Sequence, residues 1–149
     1  MKNILILIML FVTGICYGQI SEVKQLPPRI KVGEINRGSN FVARLEYEIE
    51  NGDTTYILMY KDDRYSSLIE LESVTFSSTD NTVGKLYQLF KSVFTESNRN
   101  NDQYKVQFTL GTQDVIISNY IVLKKPSAFF HAEGFFALWE KEVDKLFGK

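Results

Sequence analysis

Glu46, Glu48 and Glu50 recur at every second position of one segment, and Glu70 and Glu72 do the same in a later one. If the two segments are neighbouring strands, these side chains gather on one sheet face. Two carboxylates at a suitable separation can act as acid and base in glycoside hydrolysis. The same alternation is also the ordinary look of a solvated strand face, and that plainer reading is the expectation.

Other chemistry has less to draw on. Nucleophilic catalysis needs a nucleophile, a base that holds its proton near neutral pH, and a group to orient the base. The chain has one cysteine, Cys16, and one histidine, His131, and no G-x-S-x-G elbow singles out a serine. His131, between Phe130 and Ala132, reads as an interfacial or partly buried residue. Zinc sites draw three or four ligands from Cys, His and some carboxylates, which one histidine cannot supply. Asp53, Asp62, Asp63 and Asp102 are oxygen donors for calcium, but none lies in the D-x-[DN]-x-[DN]-G spacing that surrounds one ion. No cofactor and no metal are expected, and the chain reads as non-enzymatic.

The aromatic residues are the other resource, with eleven Phe and eight Tyr. Phe129, Phe130, Phe135, Phe136 and Trp139 crowd one short stretch, more aromatic surface than a small hairpin needs. Part of it is a candidate ligand groove or protein-binding patch. Core packing is the expected fate of most of it. Charge points to no polyelectrolyte partner: there are 17 Lys plus Arg against 18 Asp plus Glu, with no basic stripe, so nucleic acid is not expected.

The elements that would position these residues follow from periodicity. Phe41 to Glu50 alternates apolar Ala43, Leu45, Tyr47 and Ile49 with charged side chains, a strand with one face of each kind. Asn51-Gly52 suits a two-residue type I′ turn, and Thr54 to Tyr60 returns, placing Tyr47 opposite Tyr56 and Leu45 opposite Leu58. Ile57 and Met59 then share the outer face with the glutamates, which suggests partial cover by a later part of the chain. Arg29 to Ile35 suits a short edge strand. Leu68 to Ser77 is a further strand whose apolar parity shifts near Leu71 to Val74, suggesting a bulge or twist.

Val83, Leu86, Tyr87, Phe90, Val93 and Phe94 then fall at helical spacing, with Thr79 or Asp80 as cap and Gly84 costing about 1 kcal/mol against Ala. Thr95 to Gln103 is a polar loop. Tyr104 to Leu110 and Val115 to about Leu123 form another hairpin, broken at Lys124-Lys125-Pro126-Ser127. Ala128 to Leu138 is either a tight hairpin turning at Glu133-Gly134 or the front of a long helix; doubled phenylalanines and the glycine favour the hairpin. Trp139, Val143, Leu146 and Phe147 close the chain in a short helix anchored by Trp139.

The expected fold is α+β: a mainly antiparallel sheet of meandering hairpins, ordered β-β-β-β-α-β-β-(β-β)-α, packed against one long amphipathic helix and a short C-terminal helix. No internal repeat or second domain is read.

The first residues carry an address. Lys2, the apolar run Ile4 to Val12 and the compact Thr13 to Gly18 have the three-part layout of a secretory signal peptide, too short to span a bilayer. Cleavage between Gly18 and Gln19 is expected. Lipidation at Cys16 is disfavoured because bulky Ile15 stands where lipoprotein signals place a small residue. The organisation is then a signal at 1–18, a flexible leader at 19–28 and a single domain at 29–149. The mature chain has no cysteine and no transmembrane span. Roughly 130 residues without disulfides can still bury about two thirds of their unfolded surface. Export to a bacterial periplasm, outer envelope or exterior is expected. The functional expectation is a small exported binding module with a protein partner. The alternatives are a carrier of a small apolar ligand held between sheet and helices, and a carboxylate hydrolase.

Overall fold

The computed structural model describes residues 25–65 and 68–149. The expected signal segment, with Cys16 and the Gly18–Gln19 junction, lies outside the described residues, as do residues 19–24 of the leader.

The described chain is mostly β. It runs β1 (Ile30–Arg37), β2 (Asn40–Glu50), β3 (Asp53–Lys61), β4 (Leu71–Ser77), a 3-10 turn (Thr79–Asn81), α1 (Thr82–Ser92), β5 (Lys105–Leu110), β6 (Gln113–Val122), β7 (Lys125–His131), β8 (Phe135–Leu138) and α2 (Glu140–Leu146). The strands make two four-stranded sheets, β1-β2-β3-β4 and β5-β6-β7-β8, antiparallel throughout. One plan therefore occurs twice, a meander followed by a short helix.

The expected single sheet on one long helix is corrected to two sheets and two short helices. The sheets stay separate because the middle of β4 meets the β5–β6 turn instead of pairing with β5. Gln113 Nε2 donates to Ser73 O at 3.3 Å, and a Cβ on Gly111 would run into the carbonyl of Thr75. The first helix is short because Asp80 and Asn81 stand at φ 52° and 56°, left-handed geometry that cannot continue a helix. Asn81, and neither Thr79 nor Asp80, holds the cap position, without a side-chain bond to the helix. Its amide packs over Gly84, where a Cβ would lie 2.5 Å away, so the helix glycine makes room for the turn. At the far end Asn98 Nδ2 and Thr95 Oγ1 donate to Ser92 O, both at 2.9 Å, satisfying a terminal carbonyl.

Asn51 and Gly52 both take positive φ, and the turn pairs Tyr47 with Tyr56 and Leu45 with Leu58. The bulge expected near Leu71 to Val74 does not occur: pairing runs unbroken from Thr55↔Ser77 to Lys61↔Leu71. Leu68 precedes the strand, so it need not obey the strand's parity. Irregularities fall between β1 and β2 instead, at Lys31/Gly33 and Ile35/Asn36.

The core lies between the inner faces of both sheets and the two helices. Its centre is aromatic. Tyr60 of β3 stands 5.6 Å from Phe130 and 4.9 Å from Phe136 of the second sheet, and Phe90 of α1 stacks on Phe130 at 5.9 Å. Phe147 reaches Phe90 at 5.8 Å from the end of α2. Each such burial is worth about 1.5–3 kcal/mol. Helix α2 is anchored by Val143, Leu146 and Phe147, and not by Trp139 as expected. Trp139 is extended and half-buried at the cap, its backbone N–H bonded to Glu142 Oε2 at 2.9 Å. The helix lies close against β1, where a Cβ on Gly33 would strike the carbonyls of Lys145 and Leu146.

Candidate functional site

The five glutamates do not form one cluster. Glu46, Glu48 and Glu50 share the outward parity of β2, whereas Glu72 pairs with Tyr60 and shares the inward parity of Val74 and Phe76. Glu70 is exposed ahead of β4. The outer glutamates meet cations: Arg44 Nη1 donates to Glu46 at 3.2 Å, Arg44 Nε to Glu34 at 2.7 Å, and Arg29 lies 3.7 Å from Glu48. A hydrogen bond from Asn36, with Arg44 beside it, outweighs burial and holds the Glu34 carboxyl below its ordinary value. A general acid needs a shift the other way. The stems of this ladder crowd Ile57, which is buried on the outward parity of β3.

Among the aspartates, Asp62 is completely buried, and its oxygens are taken by protein donors. Arg64 Nε donates to Oδ2 at 2.6 Å, while Arg64 N and Phe135 N donate to Oδ1 at 3.0 and 3.3 Å. Burial pushes its pKa up, but these bonds and the charge of Arg64 outweigh it and hold the carboxyl below its usual value. Beside it Asp63 N donates to Phe135 O at 2.9 Å, and Gly134 N to Tyr60 Oη at 3.3 Å. A Cβ on Gly134 would stand 2.7 Å from Asp62 Cγ, so glycine admits the carboxylate. Asp62 joins the exit of β3 to the turn between β7 and β8. Among the described residues no group of three or more His, Cys, Asp or Glu is placed to hold a metal ion.

The aromatic candidates divide by strand parity. Ala128 to Leu138 is a hairpin, Phe130 and Phe136 turn inward as a cross-strand pair, and Phe129, His131 and Phe135 turn outward. Phe129 and Phe135 lie 4.7 Å apart, His131 stands edge-on to Phe135 at 6.3 Å, and Tyr120 of β6 extends the row to Phe129 at 5.8 Å. Tyr120 is 60% exposed, and His131, expected to be interfacial or partly buried, is exposed, which removes the second of those readings. The outward positions of this sheet also carry Lys105 of β5, opposite Ser118, Asp114 of β6 and Lys125 of β7, none of them in the row of rings.

Tyr120 escaped the sequence reading, although it alternates with Ile117 and Asn119, both buried. What hid it was the neighbouring turn. Leu123 and Lys124 form it at φ 51° and 63°, and Lys125 and Pro126, expected to break the chain, belong to β7. Proline is accepted there because β8 pairs with β7 only from Ala128 onward, leaving one side of the strand open. No helix among the described residues is long and apolar enough to cross a membrane. Comparison of the chain with protein-family models, with curated proteins and with solved structures finds no match.

Proposed function

We propose that this chain is an exported, non-enzymatic binding module that holds a protein partner on the outer face of its second sheet. The observation that carries this reading is the row Tyr120–Phe129–Phe135–His131, four rings each in contact with the next, with the charged outward residues Lys105, Asp114 and Lys125 outside the row. Binding surfaces concentrate aromatic residues at their centres and are depleted there in charge. The glutamates support the non-enzymatic part, since they divide between two sheet faces and two of them, Glu46 and Glu48, meet arginines. Export rests on the signal-like layout of residues 1–18.

A photo-crosslinking residue placed at Tyr120, in cells that make the full chain, tests the reading. The expected result is one discrete protein adduct that weakens at least tenfold when Phe129 and Phe135 are changed to Ser. The same residue at Ile49, on the first sheet, is expected to give no adduct. Equal adducts at both positions, or none at either, would overturn the proposal.

A further inference from the structure

A groove of about 380 Å³ opens where β7 begins and α2 starts, walled by Trp139, Phe94 and Pro126 and rimmed by Arg99, Lys125 and Lys141. Its volume is at the small end of ligand sites. The wall is rigidly placed. Arg37 lies 4.4 Å from the Trp139 ring centroid, and its guanidinium is itself held by Glu142 at 2.7 and 3.0 Å and by Ala137 O at 2.8 Å. The loop bearing Arg99 is pinned as well, because the amide of Asn119, buried at 3% exposure, donates to the carbonyls of Asn98, Arg99 and Asn101 at 2.9–3.1 Å.

The rim carries both signs of charge, but only the acids are engaged. Glu142 is taken by Arg37 and the Trp139 backbone, and Glu140 by Lys91 Nζ at 3.0 Å. Arg99, Lys125 and Lys141 form no ion pair among the described residues, and Lys125 Nζ stands 5.8 Å from the indole centroid. A fixed apolar wall beside three cations without an ion pair, one of them over the indole itself, selects a molecule with an apolar body and one negative group. We infer that this groove binds a small carboxylate amphiphile, its apolar part on Trp139 and its carboxylate between Arg99 and Lys125. This site is separate from the protein-binding face proposed above, and either can fail alone.

Trp139 is the only tryptophan of the sequence, so intrinsic fluorescence reports this groove directly. The full chain is titrated with decanoate below its micelle threshold, with decanol and decyltrimethylammonium as neutral and cationic counterparts. The expected result is a saturable change with decanoate, at least tenfold weaker with either counterpart and weakened further by 0.5 M salt. Arg99→Gln with Lys125→Gln is expected to weaken decanoate at least tenfold and leave decanol unchanged. Lys141→Gln is a milder variant on an exposed position and is expected to weaken decanoate about threefold. Equal binding of decanoate and decanol, no saturable change, or decanoate binding unmoved in both variants would overturn the inference.

Discussion

The two meanders share one plan and differ in what they present to solvent. On the first sheet the outward side chains satisfy each other, with Arg44 bridging Glu34 and Glu46 and Arg29 reaching Glu48. On the second the outward side chains include a row of rings, with Tyr120 60% exposed. Strand alternation dictates only that one face be turned from the core. What that face carries is free to vary, so the two outer faces can differ where both inner faces must pack. A charge ladder closed on itself offers little to a partner, whereas exposed rings retain apolar area that association can bury.

That contrast can be broken most severely from within the second sheet. Phe130→Ala, at a position with no exposed surface, is expected to cost about 3–5 kcal/mol in chemical denaturation, while Phe129→Ala beside it costs less than half as much. Comparable losses at the two positions would mean that the outer row is part of the core.

Next comes the join between the sheets, where Asp62→Ala is expected to cost about 2–4 kcal/mol because buried donors lose their acceptor. The folded carboxyl titrates below its unfolded value of about 3.9. Its contribution is therefore whole above that value and is lost as pH falls through the folded pKa. Denaturation curves between about pH 5 and pH 2 should show this loss in the natural chain and not in Asp62→Asn. A loss of the same slope in both would place the acid sensitivity elsewhere.

Replacing Leu123-Lys124 by Asn-Gly is expected to stabilise the second meander by about 1 kcal/mol, since both residues now hold left-handed φ with full side chains. Unchanged stability would show the turn to be unstrained. Smallest of all, Arg44→Ala should change stability by less than about 1 kcal/mol, and 0.5 M salt should remove the difference. A larger, salt-resistant loss would mean that the first outer face depends on the arginine stem covering Ile57.

The first meander was largely legible in the sequence because its signals are local. Asn51-Gly52 tolerates positive φ by residue type, and Leu45 and Tyr47 show their face by spacing. The turn at Leu123-Lys124 takes the same geometry with residues that do not advertise it, so Pro126 read as a breaker and Tyr120 was missed. The helix was read too long because its periodicity says nothing of Asp80 and Asn81 adopting left-handed backbone. The structural role of Asp62 was not legible from its place in a turn, because its partner Phe135 stands 73 residues away and no spacing rule links them. Phe129, His131 and Phe135 are close in the sequence, so their nearness in space was legible. Only the register of β7 on β8 separates them from Phe130 and Phe136.

The reach of that join has a kinetic consequence. Every ladder in both sheets connects consecutive strands, so each meander closes by short loops, while the Asp62–Phe135 contact requires the two halves to meet across 73 residues. Long closures cost more chain entropy and come late on a folding route. Interactions absent from the transition state set how fast a protein comes apart. In a chain whose single cysteine allows no internal disulfide, the buried carboxylate is then expected to act chiefly as a brake on unfolding, and its loss to be felt as a shorter native lifetime.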